Sequence, residues 1–440
     1  MSTYKPVEMI GTIVVGVALL FSSAALAGRQ ERSDDNEWLN GPDVSTDGTR
    51  ILASRLVAAS GDSWQFRISL YDRRSDERVD LTNGPGDAWN ATWRASMDVL
   101  YFLSNREGEP RLYELSLRGG EAHAVSAPHF VVLDYLARAD KAGQALLVQT
   151  RDRKPFPFGT GDEPYPYPPA LDLNQGMKSK DNPGGAICPP GSIGAIEPVH
   201  ILWLARNGKG GLNKAIDLTP QGVCLPYSEG GRAGRNWDVS PDGTKITWVE
   251  YYFEPAAPSP LRRLMAMSTN GNGAPPEVVA VRNEPAMPRF SPDSSRLVWV
   301  VSEPGAGVSG DSSDVSPTLG LEFRDFDADS QERSTALSAG TRVTGLVWST
   351  YGRNIAVLSA APPELTLVPD NGDASRVRKI SLPLMAALDA AIDAKGRWAV
   401  MQLWDSDGSL KLFGLDLQSG VASPLEKRMG RTRAKTAKDA

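Results

Sequence analysis

Two stretches decide the fold of this chain: Trp237-Asp-Val-Ser-Pro-Asp-Gly-Thr-Lys-Ile-Thr-Trp248 and Arg289-Phe-Ser-Pro-Asp-Ser-Ser-Arg-Leu-Val-Trp299. Each places a short polar corner before an apolar run that is rich in β-branched and aromatic residues. In the first corner, Pro241 presets φ, Asp242 can hydrogen-bond to nearby backbone, and Gly243 accepts a positive φ. The phrase therefore predicts a β-hairpin whose aspartate is structural.

Five further copies of the phrase keep its shape and lose some of its letters. They begin at Pro42, Ala91, Ala139, Leu346 and Ala391. A second hairpin follows in most copies, as in Arg111–Val125 around Gly119-Gly120, so that each period supplies four strands. The repeats predict an all-β chain, a seven-bladed β-propeller of four-stranded blades over residues 38–426. Six blades is the alternative, because the copies at Leu346 and Ala391 are degenerate.

The N-terminal residues 1–27 have the pattern of a signal peptide. Lys5 precedes an apolar stretch from Ile10 to Phe21, and Ala25-Leu26-Ala27 has the small residues of a cleavage site. An uncleaved membrane anchor is the alternative. Residues 28–37 are predicted to be a linker. We therefore expect a periplasmic or secreted protein.

Charge argues against one class of partner. The formal net charge of −6 does not suit nucleic-acid binding, which requires a basic surface. Residues 427–440 form a basic tail, which we expect to be disordered; contact with anionic lipid or an acidic envelope partner is the alternative. We expect a monomer.

A long insertion, residues 154–199, interrupts the third predicted blade. It interleaves proline with aromatic residues, and loops of this length are usually functional or disordered. Its candidate contacts for a partner are Phe156, Phe158, Tyr165 and Tyr167, which could instead pack on their own blade. The two cysteines of the chain, Cys188 and Cys224, are predicted to form a disulfide that pins the insertion, with two free thiols as the alternative.

The inventory of catalytic residue types is small. The three histidines, His123, His129 and His200, have no spacing that suits metal ligands, and no nucleophile elbow or P-loop is present. The glycine-rich run 305–310 is predicted to be a loop, and the aspartates of 325–329 to be solvated turn residues rather than a calcium site. No catalytic residue, metal site or cofactor is predicted.

The segment from Trp89 to Ser126, together with the Ser-Pro-Asp corners at Ser240 and Ser291, resembles the repeats of TolB-type β-propellers. The order of the repeats resembles most the N-terminal propeller of prolyl-oligopeptidase-family serine peptidases. TolB proteins add an α/β domain before the propeller, and the peptidases add an α/β-hydrolase domain after it. Because the sequence shows neither, no functional residue is carried over, and the resemblance implies a free-standing exported propeller.

The sequence thus favours a non-enzymatic module that binds a protein or peptide partner. One alternative is an enzyme of lyase or hydrolase type whose site lies in the central channel, with Asp238 or Arg289 at its mouth. Another is an orphaned propeller half of a serine peptidase system whose hydrolase is a separate chain.

Overall fold

The structure is a computed structural model that describes residues 39–425, with gaps at 59–63, 94–97, 127–130, 139–144, 152–187, 189–191, 194–198, 207–211, 221, 227–230, 253–259, 270–274, 282–283, 304–317, 327–332, 338–341, 350–352, 361, 384–385, 394 and 405–409. The predicted signal peptide, linker and basic tail lie outside the described residues, as does most of the insertion. The described part contains thirty strands and one short 3-10 helix, Ala374–Arg376. It holds no helix of the length and apolarity that a membrane span requires.

Twenty-eight of these strands form seven antiparallel four-stranded sheets. Sheet 1 contains β1 (Leu39–Val44), β2 (Arg50–Ala58), β3 (Trp64–Asp72) and β4 (Glu77–Asp80); sheet 2 contains β5 (Ala88–Trp93), β6 (Val99–Ser104), β7 (Arg111–Ser116) and β8 (His123–Ala124). Sheet 3 contains β9 (Val132–Arg138), β10 (Ala145–Arg151), β12 (Val199–Arg206) and β13 (Leu212–Asp217), while β11 (Ser192–Ile193) and β14 (Leu225–Pro226) pair separately.

The remaining four sheets follow in chain order. Sheet 4 contains β15 (Trp237–Val239), β16 (Lys245–Tyr252), β17 (Leu261–Ser268) and β18 (Glu277–Ala280); sheet 5 contains β19 (Ala286–Phe290), β20 (Arg296–Glu303), β21 (Thr318–Asp325) and β22 (Arg333–Ala336). Sheet 6 contains β23 (Val343–Trp348), β24 (Asn354–Ala360), β25 (Pro363–Pro369) and β26 (Arg378–Ser381); sheet 7 contains β27 (Ala386–Ile392), β28 (Trp398–Trp404), β29 (Leu410–Asp416) and β30 (Ala422–Pro424). The degenerate copies at Leu346 and Ala391 thus lie in complete four-stranded sheets.

The sheets are arranged radially around a common axis. Consecutive sheets pack face to face, and the first strand of each sheet lies against the preceding sheet throughout the series. Sheet 7 in turn packs on sheet 1, where Val400 and Leu412 share a core with Val44, Ile51 and Ala53. The fold is therefore a β-propeller, as the sequence predicts, and the first strand of each sheet is the one nearest the axis.

The cores between sheets contain the large aromatic residues of the repeat. Trp237 and Trp248 are buried with residues of sheet 3, and Trp299 is buried between sheets 4 and 5. Each buried side chain of this kind contributes roughly 1.5–3 kcal/mol through removal of its surface from water. Since no sheet could bury both of its faces alone, the ring is the unit of stability.

The polar corners have the geometry that the sequence predicts. Asp242 Oδ1 accepts hydrogen bonds from Ser240 Oγ at 2.6 Å and from the Thr244 N–H at 3.0 Å. Asp47 and Asp293 make the same pair of contacts in their own corners. Gly48, Gly243 and Gly396 have φ of 73°, 72° and 65°, as the tight turn requires.

The strands nearest the axis share a second feature, a register shift. It occurs in the first strand of six of the seven described sheets, namely β1, β5, β9, β19, β23 and β27. Gly41, Asn90 and Met287 have φ of 61°, 56° and 52° at three of these positions. Bulges re-aim neighbouring side chains, and here they bring polar groups toward the axis.

Candidate functional site

A six-residue stretch, Gly231–Asn236, lies at the axis of the ring and is called the axial segment below. It connects β14 to β15 and brings backbone polar groups to the first strands of several sheets. The N–H groups of Arg232 and Ala233 donate to the Asp389 carboxylate of sheet 7 at 3.1 and 2.9 Å. The carbonyl of Ala233 accepts the Leu346 N–H of sheet 6 at 2.8 Å.

Arg232 extends from the axial segment toward sheets 1 and 2. Its Nε donates to Asn90 Oδ1 at 2.6 Å, and its Nη2 donates to the carbonyl of Ala91. Its Nη1 lies 3.8 Å from Asp43 Oδ2. Because the Arg232 side chain is only 13% exposed, these contacts replace most of its hydration.

Arg235 extends the other way and pairs with Asp134 of sheet 3. Its Nη2 donates to Asp134 Oδ1 at 2.7 Å and its Nε donates to Asp134 Oδ2. The same carboxylate accepts the indole N–H of Trp237 at 3.1 Å. Burial would lower the pKa of Arg235, but the facing charge of Asp134 outweighs it and the pKa is raised, so the guanidinium remains charged.

Asp389 is the buried acid of this arrangement. Burial raises the pKa of Asp389 above its ordinary value, and the N–H donors of Ala233, Arg232 and Ala390 act in the opposite direction. The carboxylate thus depends on the axial segment for hydrogen bonds that water cannot supply at this position.

Arg289, one of the two candidates of the channel hypothesis, binds backbone carbonyl groups. Its guanidinium donates to five carbonyl oxygens, those of Leu346 at 2.9 Å, Arg235 at 2.8 Å, Pro288 at 2.6 Å, Arg232 at 3.0 Å and Ala233 at 2.6 Å. An arginine that is 9% exposed and saturated in this way connects sheets 5 and 6 to the axial segment.

Asp238, the other candidate of the channel hypothesis, forms a bond between sheets. Its Oδ2 accepts the Phe290 N–H of sheet 5 at 2.9 Å. Asp43 occupies the equivalent position of sheet 1 and accepts the Trp93 N–H of sheet 2 at 2.8 Å. The aspartate before Val-Ser in the repeat is thus an inter-sheet acceptor in both places.

Cys188 and Cys224 form a disulfide, with their Cα atoms 5.1 Å apart. It lies next to β11 and β14, which pair through Ser192 with Pro226 and Ile193 with Leu225. The Cys224 carbonyl accepts the Tyr251 N–H of sheet 4 at 2.9 Å. A disulfide is typical of proteins outside the reducing cytosol, so this bond supports an extracellular or periplasmic location.

The disulfide region and the axial segment are joined by one side chain. Asn236 donates from Nδ2 to the Pro226 carbonyl at 3.1 Å and accepts the Met287 N–H at 3.0 Å. Because Pro226 pairs with Ser192, near the end of the insertion, that end is attached near the axis of the ring. Phe156, Phe158, Tyr165 and Tyr167 lie outside the described residues, so their candidate role as partner contacts stays a prediction.

The remaining sequence candidates take structural positions or lie outside the described part. His200 is 3% exposed and its Nδ1 lies 2.8 Å from Asp217 Oδ2; His123 is exposed, 3.7 Å from Glu114. His129, the run 305–310 and most of 325–329 fall in the gaps. The described residues contain no group of three His, Cys, Asp or Glu that could hold a metal ion.

Sequence reasoning missed the axial segment. The signal was present as Gly230-Gly-Arg-Ala-Gly-Arg-Asn236, two arginines among small residues directly before the clearest repeat. Small residues allow the backbone to approach other strands closely, and Gly345 of sheet 6 indeed lies against Ala233.

Comparison with known proteins identifies the fold. No family model matches the chain. Among curated proteins, the uncharacterized peptidase YuxL of Bacillus subtilis (strain 168) is 30% identical over 109 residues, which is 24% of this chain and 16% of that protein. Among solved structures, a puromycin-hydrolyzing peptidase of Mycobacterium tuberculosis is similar with a TM-score of 0.56 and 12% identity, over 90% of this chain and 54% of the peptidase.

Two further structures have the same fold at low identity. An oligogalacturonate lyase from Vibrio parahaemolyticus has a TM-score of 0.55 and 9% identity, over 88% of this chain and 92% of the lyase. An acylaminoacyl peptidase of Pyrococcus horikoshii has a TM-score of 0.52 and 10% identity, over 89% of this chain and 54% of the peptidase. The chain spans about half the length of these peptidases. The likeness supports the TolB-like β-propeller expected from the sequence, and it is a likeness of fold alone.

Proposed function

We propose that this chain is an exported, non-enzymatic binding module that docks a protein or peptide partner on the face of the ring where the disulfide and the axial segment lie. The observation that carries the proposal is the use of Arg289, which donates to five backbone carbonyls. A guanidinium engaged in this way stabilises the centre of the ring and has little capacity left for a ligand.

The location of the contact surface rests on strand direction. Successive strands of a sheet run antiparallel, so the β10–β12 connection and the connection from β13 to β15 reach the same end of the ring. The first connection contains the insertion, and the second contains Cys224 and the axial segment. The disulfide joins the two connections, which gives the insertion a fixed attachment on this face.

The insertion has the composition of a contact surface. Its tyrosines and phenylalanines supply large area with few rotatable bonds, so that less entropy is lost on binding than with long flexible side chains. Aromatic residues are also enriched among the residues that dominate binding energy. These properties support Phe156, Phe158, Tyr165 and Tyr167 as the contacts.

Site-specific photo-crosslinking tests the proposal in the cell of origin. A photoreactive phenylalanine is placed at each of the four aromatic positions of the insertion, and adducts are identified by mass spectrometry. The matched controls are Val79, Val278 and Val421, which are 55%, 49% and 63% exposed on other parts of the ring. We expect one recurrent adduct from the insertion positions and none from the controls. Absence of adducts at the insertion, or the same adduct at the controls, would contradict the proposal.

A second candidate is the propeller part of a two-chain peptidase system. It is favoured by the likeness to two peptidases whose length this chain spans by about half. In that case the recurrent crosslinked partner is an α/β-hydrolase that reacts with a fluorophosphonate serine probe. A partner that is inert to the probe removes this candidate and leaves the binding module.

A further inference from the structure

Among the described residues, the first and last sheets of the ring exchange no strand. Each of the seven described sheets is made from one continuous stretch of chain, and sheets 1 and 7 share no strand. They meet through apolar side chains and through Arg73, whose guanidinium lies 3.6 Å from the ring centre of Trp398. No backbone ladder joins sheets 1 and 7 in the described part of the chain, so this junction relies on side-chain contacts and on whatever else bridges the two sheets.

The axial segment contacts all the other sheets from one place. Its partners are Asp43 of sheet 1, Asn90 and Ala91 of sheet 2, Asp134 and Tyr135 of sheet 3, Arg289 of sheet 5, Leu346 of sheet 6 and Asp389 of sheet 7. The segment itself leads directly into the first strand of sheet 4. Six residues therefore connect seven sheets.

We infer that the axial segment is an internal clasp that closes the ring at the axis. Arg232 ties sheets 1 and 2 to a segment whose backbone is held by Asp389 of sheet 7, so the segment bridges the junction between sheets 1 and 7. Charge-assisted hydrogen bonds in a desolvated position are stronger than neutral ones, and loss of one partner leaves a buried group unpaired. Closure of the ring between sheets 1 and 7 thus depends on a loop that precedes sheet 4, far in sequence from both of these sheets.

Hydrogen exchange measured by mass spectrometry on the full chain tests the clasp with Arg232→Ala. We expect exchange to become roughly tenfold faster or more in peptides of β1 and β5, which Arg232 contacts, as loss of charged hydrogen bonds predicts. The decisive peptides are those of β27 and β28, which form the junction with sheet 1. The Arg232 side chain donates no hydrogen bond to these strands in the described structure, although its charge acts on Asp389 of β27, so the peptides of β28 weigh most. Faster exchange there is the result that the clasp requires.

Arg296→Ala is the matched control, because Arg296 also bridges two sheets. Its Nη1 donates to the Asp370 carbonyl at 2.6 Å and its Nη2 lies 3.3 Å from Asp370 Oδ2, joining sheets 5 and 6. We expect its effect to stay within those two sheets. If Arg232→Ala changes exchange only in residues 231–239, or leaves β27 and β28 unchanged, the clasp is refuted. Should Arg232→Ala not fold, Asn90→Gly, which removes the acceptor of Arg232 Nε, keeps the arginine and suits the positive φ of this position, carries the same test with the same two outcomes.

Discussion

At the scale of single residues, positions where the repeat departs from its usual sequence have structural reasons. Ser294 occupies the corner position that Gly243 occupies in the preceding repeat, and its φ is 65°. This conformation is unfavourable for serine, but the Ser294 hydroxyl accepts the N–H of Asp242 from the neighbouring corner at 3.0 Å. The hydrogen bond between the two corners thus offsets the conformational free energy that the positive φ of Ser294 costs. The turn therefore keeps its geometry without a glycine.

Gly231 of the axial segment has little room for a side chain. Its φ is 29°, and a Cβ there would collide with the carboxylate of Asp389. The carboxylate cannot move aside, because three backbone N–H groups hold it. We expect Gly231→Ala to lower the free energy of unfolding by about 1–3 kcal/mol, measured by urea denaturation with tryptophan fluorescence. Gly84→Ala is the control, since a Cβ there meets no atom within 4 Å; equal losses in both variants would contradict the steric argument.

At the scale of the elements, local chemistry was predictable and long-range pairing was not. The hairpins follow from corners in which Asp242 contacts residues two positions away, so the signal lies in adjacent letters. The axial segment pairs with residues far along the chain: Arg232 lies 142 positions from Asn90 and 157 from Asp389. No pattern in adjacent letters marks such pairs, so the sequence suggests Arg289 and Asp238 as channel groups and does not reveal their hydrogen bonds to the backbone of neighbouring elements.

The corners make the sheets sensitive to acid. The hydrogen bond from Ser291, followed by those from Ser295, outweighs burial and lowers the pKa of Asp293 to about 2. A carboxyl whose pKa is depressed on folding stabilises the protein above its ordinary pKa, and the contribution is lost as pH falls toward the folded value. We expect the difference in unfolding free energy between wild type and Asp293→Ala to shrink as pH falls from about 4 to 2, measured as urea midpoints at each pH. A difference that does not vary with pH would show that the charge contributes nothing.

At the scale of the whole molecule, sheet 3 is the part of the ring that most needs an additional bond. The insertion separates β10 from β12, so the two halves of this sheet are joined through a long stretch of chain that the other six sheets lack. The disulfide closes a loop between Cys188 and Cys224 that encloses β12 and β13, the second half of the sheet. Through Cys224 the same bond reaches sheet 4, whose Tyr251 N–H donates to the Cys224 carbonyl. The bond therefore restrains the outer hairpin of sheet 3 in the unfolded chain and ties it to the next sheet in the folded one.

Replacing both cysteines, Cys188→Ser together with Cys224→Ser, should weaken the ring at sheet 3 while leaving its strands formed. The sequence separation of 36 residues predicts a loss of roughly 4 kcal/mol in unfolding free energy from loop entropy. Far-UV circular dichroism should be unchanged, because none of the seven sheets uses the disulfide for its ladder, and hydrogen exchange should accelerate first in residues 199–217. Wild type in reducing agent should show the same loss, whereas the double variant should not respond to the reductant. If the unfolding free energy of the double variant equals that of the wild type, the outer hairpin of sheet 3 is held by its own ladder and by its packing against sheet 4, and the disulfide has no part in the stability of the ring.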